Sequence, residues 1–167
     1  MARPTRLVGI NYTGLAVYFI TTCTLDRRKS FVASDFCEES RDALSSISKD
    51  CGFSVTAYCF MPDHIHKLVE ATREDASLPE LVYTWKKRTG FSWSRRTGSR
   101  LWQKGYWDRV LRDDDDPLSY ARYAIENPVR AGLVTNVKDY PWIGSDRYSI
   151  DEILAACQLD LKSGWHR

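Results

Sequence analysis

The feature that most constrains the fold is a pair of strand patterns joined by a very short turn. Residues Phe53–Met61 and His64–Glu70 are rich in β-branched, aromatic and other apolar residues, which favour strands. Met61–Asp63 contains a proline and an aspartate, which favour turns. The two segments therefore predict a β-hairpin, and we expect the chain to build an antiparallel sheet around it.

Hydrophobic periodicity predicts the remaining elements. We expect strands at Leu15–Thr24 and Tyr106–Arg112, helices at Asp35–Cys51, Pro79–Arg88, Pro117–Asn127 and Ile150–Cys157, and a turn or short helix at Val129–Val134. Gly90, Gly98 and the Ser and Arg residues between them predict a mobile basic loop. The aspartates Asp113–Asp116 predict a helix start, because carboxylates favour the positive end of a helix dipole.

The first six elements follow the order strand, helix, strand, strand, helix, strand, which is that of the ferredoxin-like split βαβ arrangement. We therefore expect an α+β fold, with an antiparallel sheet, two helices on one face and one extra C-terminal helix. The chain should form a single domain over residues 1–167, with 158–167 as a flexible tail.

The composition indicates a globular protein with a hydrophobic core, since 43% of the 167 residues are hydrophobic. The chain has neither a run of eighteen apolar residues nor a signal-peptide pattern, so we expect no membrane partner and a cytoplasmic location. Five cysteines, an odd number without a Cys-x-x-Cys pair, argue against a disulfide framework and favour reduced thiols.

Two of the three histidines, His64 and His66, are separated by a single residue. Alternate residues of a strand point to the same face, so the two imidazoles should lie side by side and could form half of a metal site. The alternative is a pair of partly exposed strand histidines without a ligand.

The predicted helix from Pro117 to Asn127 separates two kinds of residue. At 100° per residue, the apolar arc holds Leu118, Ala121 and Ile125, and the nearly opposite arc holds Tyr120, Tyr123 and Asn127. A tyrosine and an asparagine four residues apart are helical neighbours. Two histidine nitrogens and the amide oxygen of Asn127 would leave Mg²⁺ or Mn²⁺ with open positions for phosphate oxygens. Tyr123 could then attack a phosphodiester, although a phenol with a pKa of about 10 needs activation, and the sequence identifies no base.

A third pattern is a basic segment without acids, interleaved with aromatic residues. Its cations, for which we expect a DNA-binding role, are Lys86, Lys87, Arg88, Arg95, Arg96, Arg100 and Lys104. Phosphate contacts and base stacking suit such a segment, although a solvated basic helix and loop would show the same pattern.

The chain resembles the REP-associated tyrosine transposases of bacteria, which are single-tyrosine transposases of the HUH class. The resemblance covers most of the chain. It is carried by Thr21-Thr22, the block from Met61 to His66, Leu101-Trp102-Gln103, Tyr106-Trp107-Asp108 and the block from Tyr123 to Val134. The histidine pair alone is a weak signal, whereas the blocks in this order are a specific one.

The resemblance implies a ferredoxin-like fold, His64 and His66 as metal ligands, Asn127 as a third ligand and Tyr123 as the nucleophile. The expected partner is single-stranded DNA with a hairpin, cut to give a 5′-phosphotyrosine and a free 3′-OH, which would place the protein at the bacterial nucleoid. Lys67 departs from the family, which more often has an apolar residue there, and could alter the exposed face of the strand. Tyr120 complicates the choice of nucleophile, because some HUH replication enzymes use two tyrosines one helical turn apart.

Three functions remain open at this point. The first is a metal-dependent nuclease and strand transferase, and the second is a retired transposase that only binds hairpin DNA. The third, a nucleotide hydrolase or transferase of the histidine-triad kind, needs a third alternating histidine where this chain has Leu68. The recognised hairpin, the metal and the oligomeric state, monomer or homodimer, are not encoded in any pattern of the sequence.

Overall fold

The computed structural model of the protein describes residues 12–155, which build a five-stranded sheet. Its strands are β1 (Val17–Cys23), β2 (Phe53–Met61), β3 (His64–Ala71), β4 (Trp107–Val110) and β5 (Ile143–Gly144). They lie in the order β4-β1-β3-β2-β5, and every neighbouring pair is antiparallel. The predicted hairpin is confirmed as β2 and β3. The two-residue β5 was not predicted, because so short a strand has no periodicity.

Five α-helices accompany the sheet in the described residues. They are α1 (Ser34–Asp50), α2 (Leu78–Thr97), α3 (Pro117–Ile125), α4 (Asn127–Arg130) and α5 (Ile150–Ala155). The order β1-α1-β2-β3-α2-β4 confirms the expected ferredoxin-like α+β fold. The aspartates before α3 act as predicted, since the Asp116 side chain accepts hydrogen bonds from the first backbone N–H groups of that helix.

The two faces of the sheet are covered by different helices. Helices α1 and α2 pack over the face that carries Ile65 and Val69, and α3 packs over the opposite face, which carries Phe19 and Leu68. Strand alternation therefore places His66, two residues before Leu68, on the side of the extra helix α3. The fold brings the histidine pair and the tyrosine helix to the same face of the sheet.

The predicted loop from Gly90 to Gly98 is wrong, because α2 continues to Thr97 and ends at Gly98 with a φ of 69°. The indole of Trp102 packs against Gly90, where an added Cβ would lie 3.4 Å from it. Near the end of α2, Arg96 forms ion pairs with Asp35 and Glu39 of α1. Tertiary contacts thus extend the helix through a segment whose composition suggested a loop.

We expected from the sequence that Lys67 would lie on the exposed face of its strand, and this expectation is wrong. The side chain of Lys67 is only 2% exposed between β3 and α2, and its Nζ lies 3.6 Å from the centre of the Trp85 ring. Burial places the pKa of Lys67 well below its ordinary value, and the positive charge of Lys86 lowers it further. This residue is part of the core.

Some of the predicted segments lie partly or wholly outside residues 12–155. The last predicted helix begins at Ile150 as expected, but its predicted end at Cys157 and the predicted tail at 158–167 lie outside the described residues. The four cysteines within that range are all unpaired, as predicted. Within it, no helix combines the length and the apolar composition that crossing a membrane requires.

Candidate metal and nucleophile site

The two histidines of β3 converge on one point. His64 and His66 are two residues apart on the strand, and their Nε2 atoms lie 3.1 Å from each other. His66 is buried beneath α3, where its ring stacks on Phe19 with centroids 5.5 Å apart. The predicted side-by-side arrangement is confirmed, and both rings direct the same nitrogen towards the gap between them.

The outer nitrogen of His64 is held by Asp63. The Asp63 Oδ1 atom lies 2.6 Å from His64 Nδ1. The other carboxylate oxygen, Asp63 Oδ2, forms an ion pair with Arg27 Nε at 2.8 Å. Arg27 and its neighbour Asp26 have φ values of 55° and 53°, a left-handed conformation that costs energy in residues other than glycine. Since an ionised carboxylate only accepts, His64 Nδ1 carries a proton, and a neutral His64 has its lone pair on Nε2.

The outer nitrogen of His66 contacts a hydroxyl on the neighbouring strand. Thr21 lies directly opposite His66 in the β1–β3 pairing, and its Oγ1 atom lies 2.9 Å from His66 Nδ1. A hydroxyl can donate or accept, so Thr21 can support either neutral tautomer of His66. In the tautomer of His66 that carries its proton on Nδ1, the lone pairs of both Nε2 atoms face the gap.

Both imidazoles are held in the neutral form, which is the form that binds metals. Burial lowers the pKa of His64, and Asp63 offsets only part of this effect. Burial also lowers the pKa of His66 well below its ordinary value, and the nearby His64, Arg130 and Arg27 lower it further.

The nitrogen pair fits a divalent cation. Two ligands about 2.1 Å from an ion and at a right angle to each other are about 3 Å apart, which matches the separation of the two Nε2 atoms. Two neutral imidazoles with lone pairs this close repel each other unless a proton or a cation lies between them. Among residues 12–155, no third His, Cys, Asp or Glu joins the pair, so further ligands have to come from another residue type, from water or from the substrate.

Helix α3 brings Tyr123 to this pair. The Tyr123 ring is half-buried, with its centroid 6.1 Å from that of His66 and 5.9 Å from that of Phe19. The Cζ atom of Arg130 lies 4.3 Å from the centre of the Tyr123 ring. Arg130 also donates a hydrogen bond to the Tyr123 carbonyl oxygen. The ring is thus in contact with His66, with Phe19 and with a guanidinium.

Asn127 follows one turn later, at the start of α4. Its amide nitrogen donates to the carbonyl oxygens of Tyr123, at 2.9 Å, and Ala124, at 3.2 Å. These bonds satisfy carbonyls at the C-terminal end of α3. The nitrogen is therefore engaged, and the amide oxygen is the atom that a cation would bind; this ligand role remains a prediction.

Tyr120 belongs to the core, although the helical projection placed it with Tyr123 opposite the apolar arc. It is 1% exposed, packs against Phe19 and donates a 2.9 Å hydrogen bond from its hydroxyl to Asp115 Oδ1. Burial and this carboxylate raise the pKa of Tyr120 to about 12. The projection failed because α3 is covered over more of its circumference than a single apolar stripe implies. Tyr123 is the more accessible of the two phenols.

The basic segment divides into engaged and exposed cations. Lys86 donates to the carbonyl oxygens of Gln103 and Gly105 and has its pKa lowered to about 8, mainly by burial. Arg96 is paired with acids of α1. The remaining predicted cations are exposed: Lys87, Arg88, Arg95, Arg100 and Lys104. A DNA-binding role for this segment remains a prediction, and these five residues are its most accessible members.

The sequence did not identify the partners of the site residues. Asp63 precedes His64 directly and could have been proposed from that position. Thr21 could be recognised only from the pairing register of β1 and β3. The stacking of Arg130 on Tyr123 depends on the turn between α3 and α4.

Comparison with protein families and sequences gives three clear similarities. Residues 13–116 match the family described as Transposase IS200 like. A Haemophilus influenzae protein, provisionally named a REP-associated tyrosine transposase, is 31% identical over 143 residues, which cover 79% of this chain and 81% of that protein. The REP-associated tyrosine transposase of Escherichia coli is 23% identical over 125 residues, with 75% and 73% covered.

Two solved structures share the fold. A REP-associated tyrosine transposase bound to a REP hairpin superposes with a TM-score of 0.69 at 23% identity, over 86% of this chain and 82% of that one. A protein of Deinococcus radiodurans, provisionally named a transposase, superposes with a TM-score of 0.51 at 19% identity, over 81% and 97% of the two chains. The family match ends at residue 116, so it includes the histidine pair and stops before α3.

Proposed function

Since this chain belongs to the IS200-like transposase family, and within it to the REP-associated tyrosine transposases, we propose that it cuts and rejoins single-stranded DNA at sites marked by a hairpin. The observation that carries the proposal is the position of Tyr123. A half-buried phenol from the extra helix lies beside His66, with ring centroids 6.1 Å apart.

The proposed reaction is a transesterification at a phosphodiester. The Tyr123 hydroxyl oxygen attacks the phosphorus, the bond from phosphorus to the 3′ oxygen breaks, and the leaving oxygen takes up a proton as the phenol loses one. The products are a 5′-phosphotyrosine and a free 3′-OH. Attack of a 3′-OH on the phosphotyrosine reverses the step, so the bond energy is retained and strands can be rejoined.

His64, His66 and the Asn127 amide oxygen would hold the divalent cation, Mg²⁺ or Mn²⁺. Bound there, the cation would neutralise the negative charge that develops on the phosphate oxygens. Asp63 and Thr21 orient the two imidazoles through their outer nitrogens. Arg130 fixes the Tyr123 ring and places a positive charge beside the phenol.

The test is metal-dependent formation of a covalent adduct. The protein is incubated with hairpin oligonucleotides taken from beside its own gene, with Mn²⁺ or with EDTA, and the adduct is located by mass spectrometry after protease digestion. We expect a phosphonucleotide on the peptide that contains Tyr123, only when Mn²⁺ is present.

Two variants separate chemistry from folding. Tyr123→Phe removes only the phenolic oxygen, so it should lose cleavage and retain hairpin binding. Tyr120→Phe is the matched control, because it removes a hydroxyl that is bonded to Asp115, and it should still cut. Full cleavage by Tyr123→Phe would overturn the mechanism, and hairpin binding without cleavage by the unmodified protein would favour a retired, binding-only transposase.

A further inference from the structure

One carboxylate spans the junction between α3 and α4. Glu126 lies between the last residue of α3, Ile125, and the first residue of α4, Asn127. Its Oε1 atom forms an ion pair with Arg122 Nε at 2.8 Å, four residues earlier, and its Oε2 atom forms one with Arg130 Nη1 at 3.1 Å, four residues later. A single side chain thus connects one helix to the next.

The ion pairs of Glu126 differ from ordinary pairs on a helix surface, which solvent screening makes weak. The Glu126 side chain is only 17% exposed and that of Arg122 only 22%, so water screens this pair less. Each carboxylate oxygen also bonds to a different guanidinium. The three side chains therefore form one network, Arg122–Glu126–Arg130, which we term the junction triad.

The junction triad reaches the candidate nucleophile through Arg130. The Arg130 Nη2 atom donates to the Tyr123 carbonyl oxygen, and the guanidinium carbon lies 4.3 Å from the centre of the Tyr123 ring. Glu126 binds the other terminal nitrogen, Nη1. Because a guanidinium is planar and rigid, holding both terminal nitrogens fixes its orientation. Glu126 thereby determines how Arg130 lies against the phenol ring.

The same junction carries Asn127. Its Nδ2 atom donates to the Tyr123 carbonyl oxygen at 2.9 Å, and this oxygen also accepts from Arg130. The next residue, Pro128, has no N–H to donate to the Ala124 carbonyl oxygen, which accepts from Asn127 Nδ2 at 3.2 Å. Side-chain bonds thus replace a backbone bond of a continuous helix, and the relative position of Tyr123 and Asn127 depends on them.

The other end of the junction triad is attached to a third helix. Arg122 Nη1 donates to the Leu154 carbonyl oxygen of α5 at 2.6 Å. Ile153 of α5 belongs to the same buried cluster as Ala121 of α3, so α5 is packed against the helix that carries Tyr123. Glu126 is therefore held from the core side by Arg122 and can restrain Arg130 on the side of the phenol.

We propose that Glu126 is a positioning residue for Tyr123 and that it acts through Arg130. It contacts neither the DNA nor the cation, but it keeps the guanidinium against the phenol and so keeps the phenol oxygen aligned with the phosphorus. Small misplacements of a reacting group cost up to about a hundredfold in rate. The inference rests on the proposed function, because it assumes that Tyr123 is the nucleophile.

The experiment measures the rate of covalent adduct formation in a single turnover, with hairpin DNA and Mn²⁺ both saturating. Glu126→Gln preserves the size of the side chain, but an amide has one acceptor oxygen and two N–H donors, so it cannot accept from both guanidiniums. We expect a rate at least about tenfold lower. Hairpin affinity, measured by fluorescence anisotropy in EDTA, should remain that of the unmodified protein, whereas a general loosening of the fold would weaken it as well.

A double-mutant cycle tests whether Glu126 acts through Arg130. Arg130→Gln should also react at least about tenfold more slowly. The double variant Glu126→Gln, Arg130→Gln should be as slow as Arg130→Gln alone, whereas independent effects would multiply.

The matched control is Glu70→Gln, which breaks the ion pair of Glu70 with Arg147. That pair lies outside the junction, so this variant should react at the rate of the unmodified protein. Circular dichroism checks that each variant is folded.

Four results overturn the inference while adduct formation by the unmodified protein still supports the proposed function. They are an unchanged rate in Glu126→Gln, an unchanged rate in Arg130→Gln, a rate loss that Glu70→Gln shares, and a double variant whose loss is the product of the two single losses. The result for Arg130→Gln decides even if Glu126→Gln does not fold. Absence of any adduct from the unmodified protein would instead reject the proposed function, and the inference with it.

Discussion

Two adjacent threonines of β1 allow a sharp test of how the histidine pair is supported. Thr21 contacts the outer nitrogen of His66 at 2.9 Å. Thr22 points to the opposite face, where its buried hydroxyl has no hydrogen-bond partner within the described structure. Valine has nearly the same shape as threonine, so each Thr→Val substitution removes one hydroxyl and little else.

The two substitutions should have different effects. Loss of a hydrogen-bond partner behind a metal-binding histidine weakens metal affinity by about 10- to 100-fold, so Thr21→Val should raise the Kd for Mn²⁺ by that factor. It also leaves the buried Nδ1 of His66 without its partner, which should lower the free energy of unfolding in EDTA by about 1–3 kcal/mol. Thr22→Val removes a buried hydroxyl without a partner, so its unfolding free energy should stay equal or rise.

Isothermal titration calorimetry with Mn²⁺ and urea unfolding in EDTA measure these quantities. The affinity of Thr22→Val should equal that of the unmodified protein. Wild-type Mn²⁺ affinity in Thr21→Val, or an equal loss in both variants, would refute the role we assign to the Thr21 hydroxyl.

Three further predictions concern the metal, the DNA and the core. Asn127→Ala should weaken Mn²⁺ binding in calorimetry, and an unchanged Kd would remove this residue from the ligand set. The logarithm of the association constant for single-stranded DNA should fall by about 0.7 per tenfold rise in salt concentration for each phosphate contacted. Replacing Arg95 and Arg100 by glutamine should therefore flatten the slope by about 1.4, whereas Arg96→Gln should change it little, because Asp35 and Glu39 already neutralise that residue. The pKa of Lys67 is lower in the folded protein than in the unfolded chain. Between these two pKa values the unfolded chain binds more protons, so the free energy of unfolding should rise with pH there. Lys67→Met should be more stable at neutral pH and lose this rise, and a less stable variant in urea unfolding would contradict the assignment.

The elements that were predictable are those whose signals are local. Alternation in β3 is a property of a few consecutive residues, and it placed His64 and His66 side by side before any contact was known. The fold class followed from the succession of elements along the chain, since this order is that of the ferredoxin-like arrangement. The carboxylates and the proline at the start of α3 likewise mark a helix start within five residues.

The elements that were missed depend on distant residues. The last turns of α2 were assigned to a loop because Gly90 and a cluster of arginines suggest one, whereas Trp102 and the acids of α1 stabilise the helix there. The burial of Tyr120 depends on Asp115 and on the β1 residue Phe19. A helical projection contains none of these partners, so it could not separate the buried phenol from the accessible one.

The edges of the sheet are much shorter than its centre. β4 and β5 contain four and two residues, whereas β2 contains nine. An edge strand presents unpaired backbone groups on which another chain can add a strand, and very short edges limit this template. At Gly144 in β5, an added Cβ would lie 2.3 Å from the Tyr58 hydroxyl, so a larger residue would displace either the Tyr58 ring or this edge. We expect Gly144→Val to uncover the long strand β2 and to promote aggregation, even though the residue lies outside the candidate site.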